Sequence, residues 1–298
     1  MDIKEQVQEI LVANDLDFTI GKWPLKANNE SGDELITPYY GLFNSKTGEC
    51  INTAKEGYTV SQNSDVVEMV LTGMQKFGSK LSVSKAGSIN GGRKVYIQLA
   101  IEGVVKIGDD TMKQFVTVID SNDGSTGLSV GIGDIQMHCN NQFFKFYKAG
   151  NSRYRHTATI TQKIKEIPML IETALSENLR QVRTYERFLS TPLSKDLAHR
   201  VVKEVMGYDR VLTSIDNQAK MTKRSNEMMD MLYENIDHEF GVVGENLFGL
   251  FNGVTRYTTH HQKQPKRLSG DAHSETLIVG AGYKKAMDAY ELLVGELS

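Results

Sequence analysis

LSVGIGDIQMHCNNQFFKFYKAGNSRYRH, residues 128–156, is the stretch in which the chain changes from strand-forming to helix-forming sequence. It begins with a predicted strand, Leu128–Cys139, and continues through the polar pair Asn140–Asn141. Four aromatic residues follow the pair: Phe143, Phe144, Phe146 and Tyr147. The stretch ends in the basic cluster Arg153–His156. It decides the fold class because the hydrophobic patterns on its two sides differ.

These patterns predict an α+β fold. Upstream, apolar residues alternate in segments such as Lys94–Ile101, which is the period of half-buried strands. Downstream of Thr157 they recur every three or four positions, which indicates a long helix that Pro168 is predicted to kink. We therefore predict an antiparallel β-meander with helices over residues 1–156. A mainly helical half, residues 157–298, is predicted to pack on it as one compact unit.

Charge is distributed unevenly along the chain, although the net charge is only −3. Residues 1–140 carry 12 Lys and Arg against 18 Asp and Glu, and residues 225–298 carry 6 against 11. Residues 141–224 carry 16 against 8. A basic middle between acidic ends predicts a localised basic face, and the alternative is a solvated helix surface rich in Lys and Arg.

The basic middle alternates with aromatic residues, a pattern typical of single-stranded nucleic-acid binding. Cations bind the phosphates of such a strand, and flat rings stack on its unpaired bases. Arginines at positions 180, 183 and 187 are predicted to share one helix face. The predicted binding residues are Arg93, Lys94, Lys145, Tyr147, Lys148, Arg153, Tyr154, Arg155, Lys163, Lys165, Arg180, Arg183 and Arg187. In the alternative, the three phenylalanines are core residues and the arginines pair with Glu172, Glu177 and Glu186.

Other kinds of site have little support in the sequence. Two cysteines, Cys50 and Cys139, exclude a disulfide framework and Cys-rich zinc sites. The glycine pair Gly91–Gly92 precedes a strand, whereas glycine loops that cradle phosphates precede a helix. We predict no metal and no cofactor. No segment has the length of a membrane span or a signal peptide, so we expect a cytoplasmic protein without membrane contact.

Several segments together resemble the phage/plasmid-like protein family, a family of unknown function. They are TPYYGLFNSKTGECINTAKEGYTVSQN (37–63), GGRKVYIQLAI (91–101), FVTVIDSNDGSTGLSVGIGDIQMHCNN (115–141) and YRHTATITQKI (154–164). The later NLFGLFNGVTRYTTHH (246–261) and GAGYKKAMDAYELL (280–293) are also similar to that family. The Cys139–Asn140 pair fits the family pattern, whereas Gln136 stands where a basic residue is expected. The resemblance implies a role in replication, recombination or host takeover by phages and plasmids, and it implies no catalytic residue.

The sequence thus predicts a non-enzymatic phage or plasmid protein that binds single-stranded DNA in recombination or replication. The predicted combination of a sheet, helices and a basic, aromatic-lined groove resembles the modules of phage single-strand annealing proteins. Methionines at positions 221, 228, 229 and 231 are predicted to serve self-association in a homo-oligomer. The alternative is a factor that modulates a host protein without binding nucleic acid. A nucleic-acid enzyme would need a carboxylate cluster, and Asp109, Asp110, Asp120 and Asp123 are interpreted as turn residues.

Overall fold

The computed structural model describes residues 2–137, 140–146, 154–207, 222–261 and 272–297. The chain forms two units whose segments interleave. The first unit comprises Met1–Glu102, Phe115–Ile132 and Phe146–Ser176. The second comprises Gly103–Gln114, Gly133–Lys145 and Glu177–Ser298. The predicted α+β class is confirmed, because antiparallel sheets occupy the N-terminal half and helices the C-terminal half. The division into residues 1–156 and 157–298 stays a prediction.

The described strands follow the chain in the order β1 (Ile20–Asn28), β2 (Glu34–Asn44), β3 (Cys50–Lys55), β4 (Leu81–Ile89), β5 (Lys94–Ile101), β6 (Val105–Ile107), β7 (Asp110–Ser121), β8 (Ser129–Gln136) and β9 (Gln142–Phe146). The described helices are α1 (Ile3–Ala13), α2 (Asn63–Gln75), α3 (Ile160–Ile164), α4 (Ile167–Ser190), α5 (Lys195–Met206), α6 (Lys223–Val243), α7 (Leu247–Arg256), α8 (Ala272–Ile278) and α9 (Ala281–Gly295). A 3-10 turn, Gly78–Lys80, follows α2, and a π-helical turn, Tyr257–His261, follows α7.

The first sheet is antiparallel, with the strand order β1-β2-β3. The sequence Ser45–Glu49 predicts a hairpin turn with Gly48 at a position that needs a positive φ, and the structure confirms it, with a φ of 72° at Gly48 between β2 and β3. The polar sequence of residues 27–35 predicts a loop, but the loop in the structure is shorter, since β1 continues to Asn28 and β2 begins at Glu34. The two strands therefore form a long hairpin whose outer half is largely exposed.

The core of the first unit lies beneath this sheet and the first part of the second sheet. Apolar residues at helical spacing predict a helix over residues 2–13, and the structure confirms it as α1, which buries Val7 and Leu11 and begins with a capping box from Asp2 and Glu5. Helix α2 buries a second apolar stripe that includes Val67 and Leu71. Apolar side chains of β1, β2, β5 and β7 complete the same cluster. Helices α1 and α2 are therefore fixed by burial of one face, as their sequence period predicts, whereas β5 and much of β7 are buried on both faces.

The second sheet has the strand order β4-β5-β7-β8-β9, with β6 paired to β7. Neighbours along the sheet are mostly neighbours along the chain, so the predicted meander is confirmed. Strands β7 and β8 each contribute residues to both units. Strand β8 ends at Gln136, before the predicted end at Cys139. His138 and Cys139 lie outside the described residues.

The prediction that Pro168 kinks one long helix is wrong, because the chain forms two helices there. Helix α3 ends at Ile164 and α4 begins at Ile167. Pro168 is then the second residue of α4, where its missing N–H costs nothing. The Cα of Pro168 also lies close to Gly73 of α2, where an added Cβ would be 3.0 Å from it. The apolar period continues through the break because both helices bury the same side.

The second unit is built around α7, whose residues 247–255 are all buried. Its core is aromatic: the rings of Tyr185, Phe188, Phe251 and Tyr290 lie within 5.8–6.4 Å of one another. Met229 and Met231 of α6 pack partly against this cluster, so they serve the core of their own unit. The use of the methionines for self-association stays a prediction, and Met221 lies outside the described residues.

Glycine at position 253 allows α6 and α7 to pack closely. A Cβ added to Gly253 would lie 2.5 Å from the Cα of Ile236, a backbone atom that cannot rotate away. Gly253→Ala is therefore expected to lower the free energy of unfolding by about 1–3 kcal/mol, the usual cost of overpacking. Denaturant titration measures this change. Gly241→Ala on α6 is the control, since nothing lies near its Cβ and the helix should gain about 0.5–1 kcal/mol. Equal behaviour of the two variants would contradict this packing.

Candidate nucleic-acid interface

The outer face of the first sheet carries two aromatic rings, each of which lies against a glycine of its own strand. Trp23 of β1 follows Gly21 by two residues, and a Cβ added to Gly21 would lie 2.5 Å from Nε1 of the indole. Phe43 of β2 follows Gly41 by two residues, and a Cβ there would lie 2.4 Å from its ring. Each ring therefore occupies the space beside a glycine of its own strand, which a larger residue would fill with its side chain.

The strand register places these two rings side by side. Gly21 lies opposite Phe43, and Trp23 lies opposite Gly41. Residues opposite one another in an antiparallel pair point to the same face. The indole over Gly21 and the phenyl ring over Gly41 are therefore neighbours on one surface, which we call the ring face.

The ring face is the exposed face of the sheet. Ile20 and Leu42 point to the other face and belong to the core of the first unit. Trp23 is 62% exposed, and Tyr39 is 46% exposed beside the other rings. Lys55 lies opposite Tyr39 on β3 and is exposed. The face thus offers three aromatic side chains and a cation to solvent.

A buried polar cluster, which we call the hub, follows β3 in the same unit. Its centre is Asp120 at the end of β7, whose carboxylate accepts a hydrogen bond from the Ser61 hydroxyl. The second carboxylate oxygen lies 2.8 Å from Nε2 of His156. All three side chains are buried, and Nδ1 of His156 has no partner among the described residues. Because the carboxylate lies between the hydroxyl and the imidazole, the imidazole cannot act as a base toward Ser61.

Asn122 extends the hub toward the first sheet. Its Oδ1 accepts from the Tyr58 hydroxyl at 3.2 Å, and its backbone oxygen accepts from Nδ2 of Asn52 on β3 at 2.9 Å. The Tyr58 ring stacks on the imidazole of His156 at 5.1 Å. Burial, with the nearby carboxylates of Asp120 and Asp123, raises the pKa of Tyr58 and keeps it a hydrogen-bond donor. The prediction that Asp120 is a turn residue is wrong, because its carboxylate is buried and bonded.

Lys94 completes the hub with an ion pair. Its Nζ lies 2.8 Å from a carboxylate oxygen of Asp123, and the lysine is buried. Burial opposes ionisation of Asp123, but hydrogen bonds from Lys94 and Ser125 outweigh it, so the pKa of Asp123 is below its usual range. The structure therefore places Lys94 inside the protein, where it holds the turn after β7.

Two of the predicted arginines lie at the hub and point outward. Arg93 is exposed, and its backbone oxygen accepts from the Asn122 N–H at 2.9 Å. Arg155 is exposed and immediately precedes His156. Neither guanidinium has an acidic partner among the residues that the structure describes. Residues 62 positions apart in the sequence are thus brought to one cluster.

Tyr154 and the lysines after it form a separate group in the first unit. The Tyr154 hydroxyl donates to Glu166 at 2.7 Å, and Nζ of Lys163 lies 4.9 Å from the Tyr154 ring centre. Burial and the bond to Glu166 raise the pKa of Tyr154 to about 12. Lys163 pairs with Glu166 at 2.9 Å, whereas Lys165 is exposed. Tyr154 is therefore held by its neighbours, and Lys165 faces solvent.

The predicted arginine face of α4 is exposed in the second unit. Arg180 pairs with Glu177 at 2.6 Å, as the alternative interpretation expected. Arg187 donates to the backbone oxygen of Leu297. Arg183 is exposed and has no acidic partner among the described residues. Arg183 is thus the most available of the three for a ligand.

Lys145 lies against the aromatic core of the second unit. Its Nζ is 4.5 Å from the centre of the Tyr290 ring, and burial lowers the pKa of Lys145 despite nearby carboxylates. Asp134 is fully buried and accepts from Tyr185, Gln181 and Gln114, and burial raises the pKa of Asp134. These groups form a polar network inside the unit.

The first two residues of the aromatic run that follows Asn141 lie in the core. Phe143 and Phe144 are buried, and Phe143 packs edge-on against Phe251 at 5.0 Å. For these two rings the alternative interpretation is therefore confirmed, and buried rings cannot meet a base. Three further predicted binding residues, Tyr147, Lys148 and Arg153, lie outside the described residues.

The ring face was missed by sequence reasoning, although a signal is present. GKW at residues 21–23 and GLF at residues 41–43 repeat the order glycine, any residue, aromatic. In a strand, residues two apart lie on the same face, so each pattern allows a ring to cover a glycine. Only the register of β1 with β2 shows that the two patterns meet.

No group of three or more His, Cys, Asp and Glu side chains is placed to hold a metal ion in the described part of the chain. Within the same ranges, no helix has the length and apolar character needed to cross a membrane.

Comparison with known proteins places the chain in a family. No curated protein and no solved structure matches it. One family model matches residues 51–280, which include the hub and begin within β3, after the strands that carry the rings. The chain therefore belongs to the family described as Domain of unknown function (DUF932).

Proposed function

We propose that this protein binds single-stranded DNA, in recombination or replication on a phage or plasmid, and that the ring face holds the bases. The observation that carries the proposal is the pair of neighbouring rings on one face of an antiparallel sheet, of which Trp23 is exposed and Phe43 half-buried. The resemblance to phage and plasmid proteins supports the setting.

The geometry favours a single strand over a duplex. An indole as exposed as that of Trp23 is accessible to an unpaired base, which can stack on its π-face. In a duplex the bases are already stacked on one another. Stacking contributes about 1–3 kcal/mol per base and is tolerant of sequence. Two or three bases can therefore be held without base-specific hydrogen bonds.

Cations of the first unit would hold the phosphates. Lys55 lies on the ring face beside Tyr39, and Arg93 and Arg155 lie at the hub that is bonded to β3 through Asn52. Phosphate contacts are the sequence-independent part of nucleic-acid affinity and make it depend on salt. The exposed arginines of α4 in the second unit, Arg183 above all, remain predicted phosphate contacts.

A protein partner is the second candidate function, and the tip of the first hairpin favours it. Ile36 is 90% exposed and Leu35 is 48% exposed, and neither side chain has an aromatic ring on which a base could stack. Apolar side chains at an exposed strand tip fit a protein surface better than a phosphate backbone. A partner held there would not need the rings or the arginines.

Fluorescence tests the proposal directly, because Trp23 is the single tryptophan of the chain. A single-stranded thymidine oligonucleotide, added at low salt, is expected to quench the indole emission as a base stacks on it. The logarithm of the association constant should then fall against the logarithm of salt concentration by about 0.7 for each phosphate held. The control is a duplex of equal length, for which quenching should be much weaker. No quenching and no binding at low salt would refute the proposal.

A further inference from the structure

We infer that Arg93 and Arg155 form one phosphate-binding pair, and that the buried hub holds them in place for it. The inference rests on the proposed function and names the part of the ligand that the hub would bind, the sugar–phosphate backbone of a single strand. Neither the family match nor the ring face assigns a role to the hub.

The backbone on both sides of Arg155 is fixed. Tyr154 exchanges two backbone hydrogen bonds with Leu128, at 3.1 and 3.2 Å. That exchange needs glycine at position 127, whose added Cβ would lie 2.6 Å from the Tyr154 oxygen. On the other side, Asp120 holds the His156 ring, and the backbone oxygen of His156 accepts from the Thr59 N–H at 3.1 Å. The guanidinium of Arg155 is the exposed group between these anchored residues.

Arg93 is fixed in a similar way. Its backbone oxygen is bonded to Asn122, and the next residue, Lys94, is buried in its ion pair with Asp123. The preceding Gly92 has a positive φ of 90°, and a Cβ there would lie 2.6 Å from the Phe18 ring. The turn before β5 is therefore held by contacts with the rest of the unit on both sides of Arg93.

A short chain of contacts joins the two arginines. Asn122 bonds the backbone of Arg93 and accepts from the Tyr58 hydroxyl. Tyr58 in turn stacks on His156, the residue after Arg155. Asn122 also accepts from Asn52 of β3, which ties the hub to the sheet that carries the rings. The two arginines thus belong to one rigid element, which is bonded to the first sheet through Asn52 on the face opposite the rings.

Such an element suits a phosphate chain for two physical reasons. A guanidinium presents a planar set of N–H donors that matches two phosphate oxygens. An arginine on a fixed backbone loses less freedom on binding than one on a mobile loop. The hub itself consists of buried polar groups. Such a cluster is rigid only when nearly all of its groups have hydrogen-bond partners. In this inference Asp120 and His156 are positioning residues that contact no ligand.

Charge removal tests the pair. Arg93→Gln and Arg155→Gln change exposed side chains, so both variants are expected to fold. Each should lower the salt slope of oligonucleotide binding by about 0.7, the value for one phosphate on a single strand, and the double variant by about twice that. Lys76→Gln, an exposed cation at the end of α2 in the same unit, is the matched control and should leave the slope unchanged.

The result separates the pair from the ring face. If both arginine variants keep the wild-type slope while the indole is still quenched, the inference is overturned and the proposed function stands. If the wild-type protein shows neither quenching nor binding, the proposed function is refuted, and the inference that rests on it is refuted as well.

A double-variant cycle tests the positioning role of His156. His156→Gln removes the ring that Asp120 and Tyr58 hold, and circular dichroism would show whether the variant remains folded at the temperature of the binding assay. Arg155→Gln should then cost clearly less affinity in this background than in the wild type, because Arg155 is no longer held. The indole quenching should persist. A full effect of Arg155→Gln in the His156→Gln background would contradict positioning through the hub.

Discussion

Replacing Trp23 by alanine is expected to weaken the binding of a single-stranded oligonucleotide by roughly 5- to 150-fold. One stacked base contributes about 1–3 kcal/mol, and a tenfold change in affinity corresponds to about 1.4 kcal/mol. The indole is the largest exposed ring of the first sheet, so its loss removes more stacking surface than any other single change there. Because the variant has no tryptophan, the anisotropy of a labelled oligonucleotide is the appropriate measurement.

Two further variants decide whether the effect comes from stacking. Trp23→Phe keeps an aromatic ring at this position and should retain much of the affinity. Val12→Ala removes an exposed apolar side chain of α1 in the same unit and should bind as the wild type does. Affinity that is unchanged in Trp23→Ala would exclude the ring face as the base-binding surface.

Replacing Asp120 by alanine is expected to lower the free energy of unfolding by about 2–5 kcal/mol. The change leaves the Ser61 hydroxyl and Nε2 of His156 without their acceptor in a buried cluster. A buried polar group without a partner costs roughly 1–3 kcal/mol, and loss of one member of a buried pair costs about 3–5 kcal/mol. Chemical denaturation followed by circular dichroism measures the loss.

Glu56→Ala is the control for this change. Glu56 is an exposed acid in the turn after β3, and its removal should change stability by less than about 0.5 kcal/mol. If Asp120→Ala is as stable as this control, the carboxylate does not hold the hub together.

The α+β class could be predicted because it follows from local periods. The spacing of three and four in α1 and α4 and the alternation of apolar residues in β5 are visible in one sequence, although β5 proves to be buried on both faces. The ends of elements were harder to predict. The break between α3 and α4 is not visible in the sequence, because the apolar pattern continues across it. The apolar residues of α3 and of the first part of α4 pack in the same core.

The candidate site was predicted only in part. Arg93 and Arg155 were chosen for their charge, and the structure brings them to one hub. Their neighbour Lys94 carries the same charge but is buried against Asp123. Nothing in the spacing of these residues distinguishes an exposed cation from a paired one, because pairing depends on which turn folds against which strand.

The sequence by itself determined the fold class, the hairpin before β3 and the uneven distribution of charge, since each depends on residues close together in the chain. Only the tertiary structure decided the rest. Phe143 and Phe144, which opened the search for stacking rings, are buried, while the glycine and aromatic pairs of β1 and β2 form the exposed surface. The physical reason is register: a ring is core or surface according to the strand and helix that cover it, and those partners lie far away in sequence.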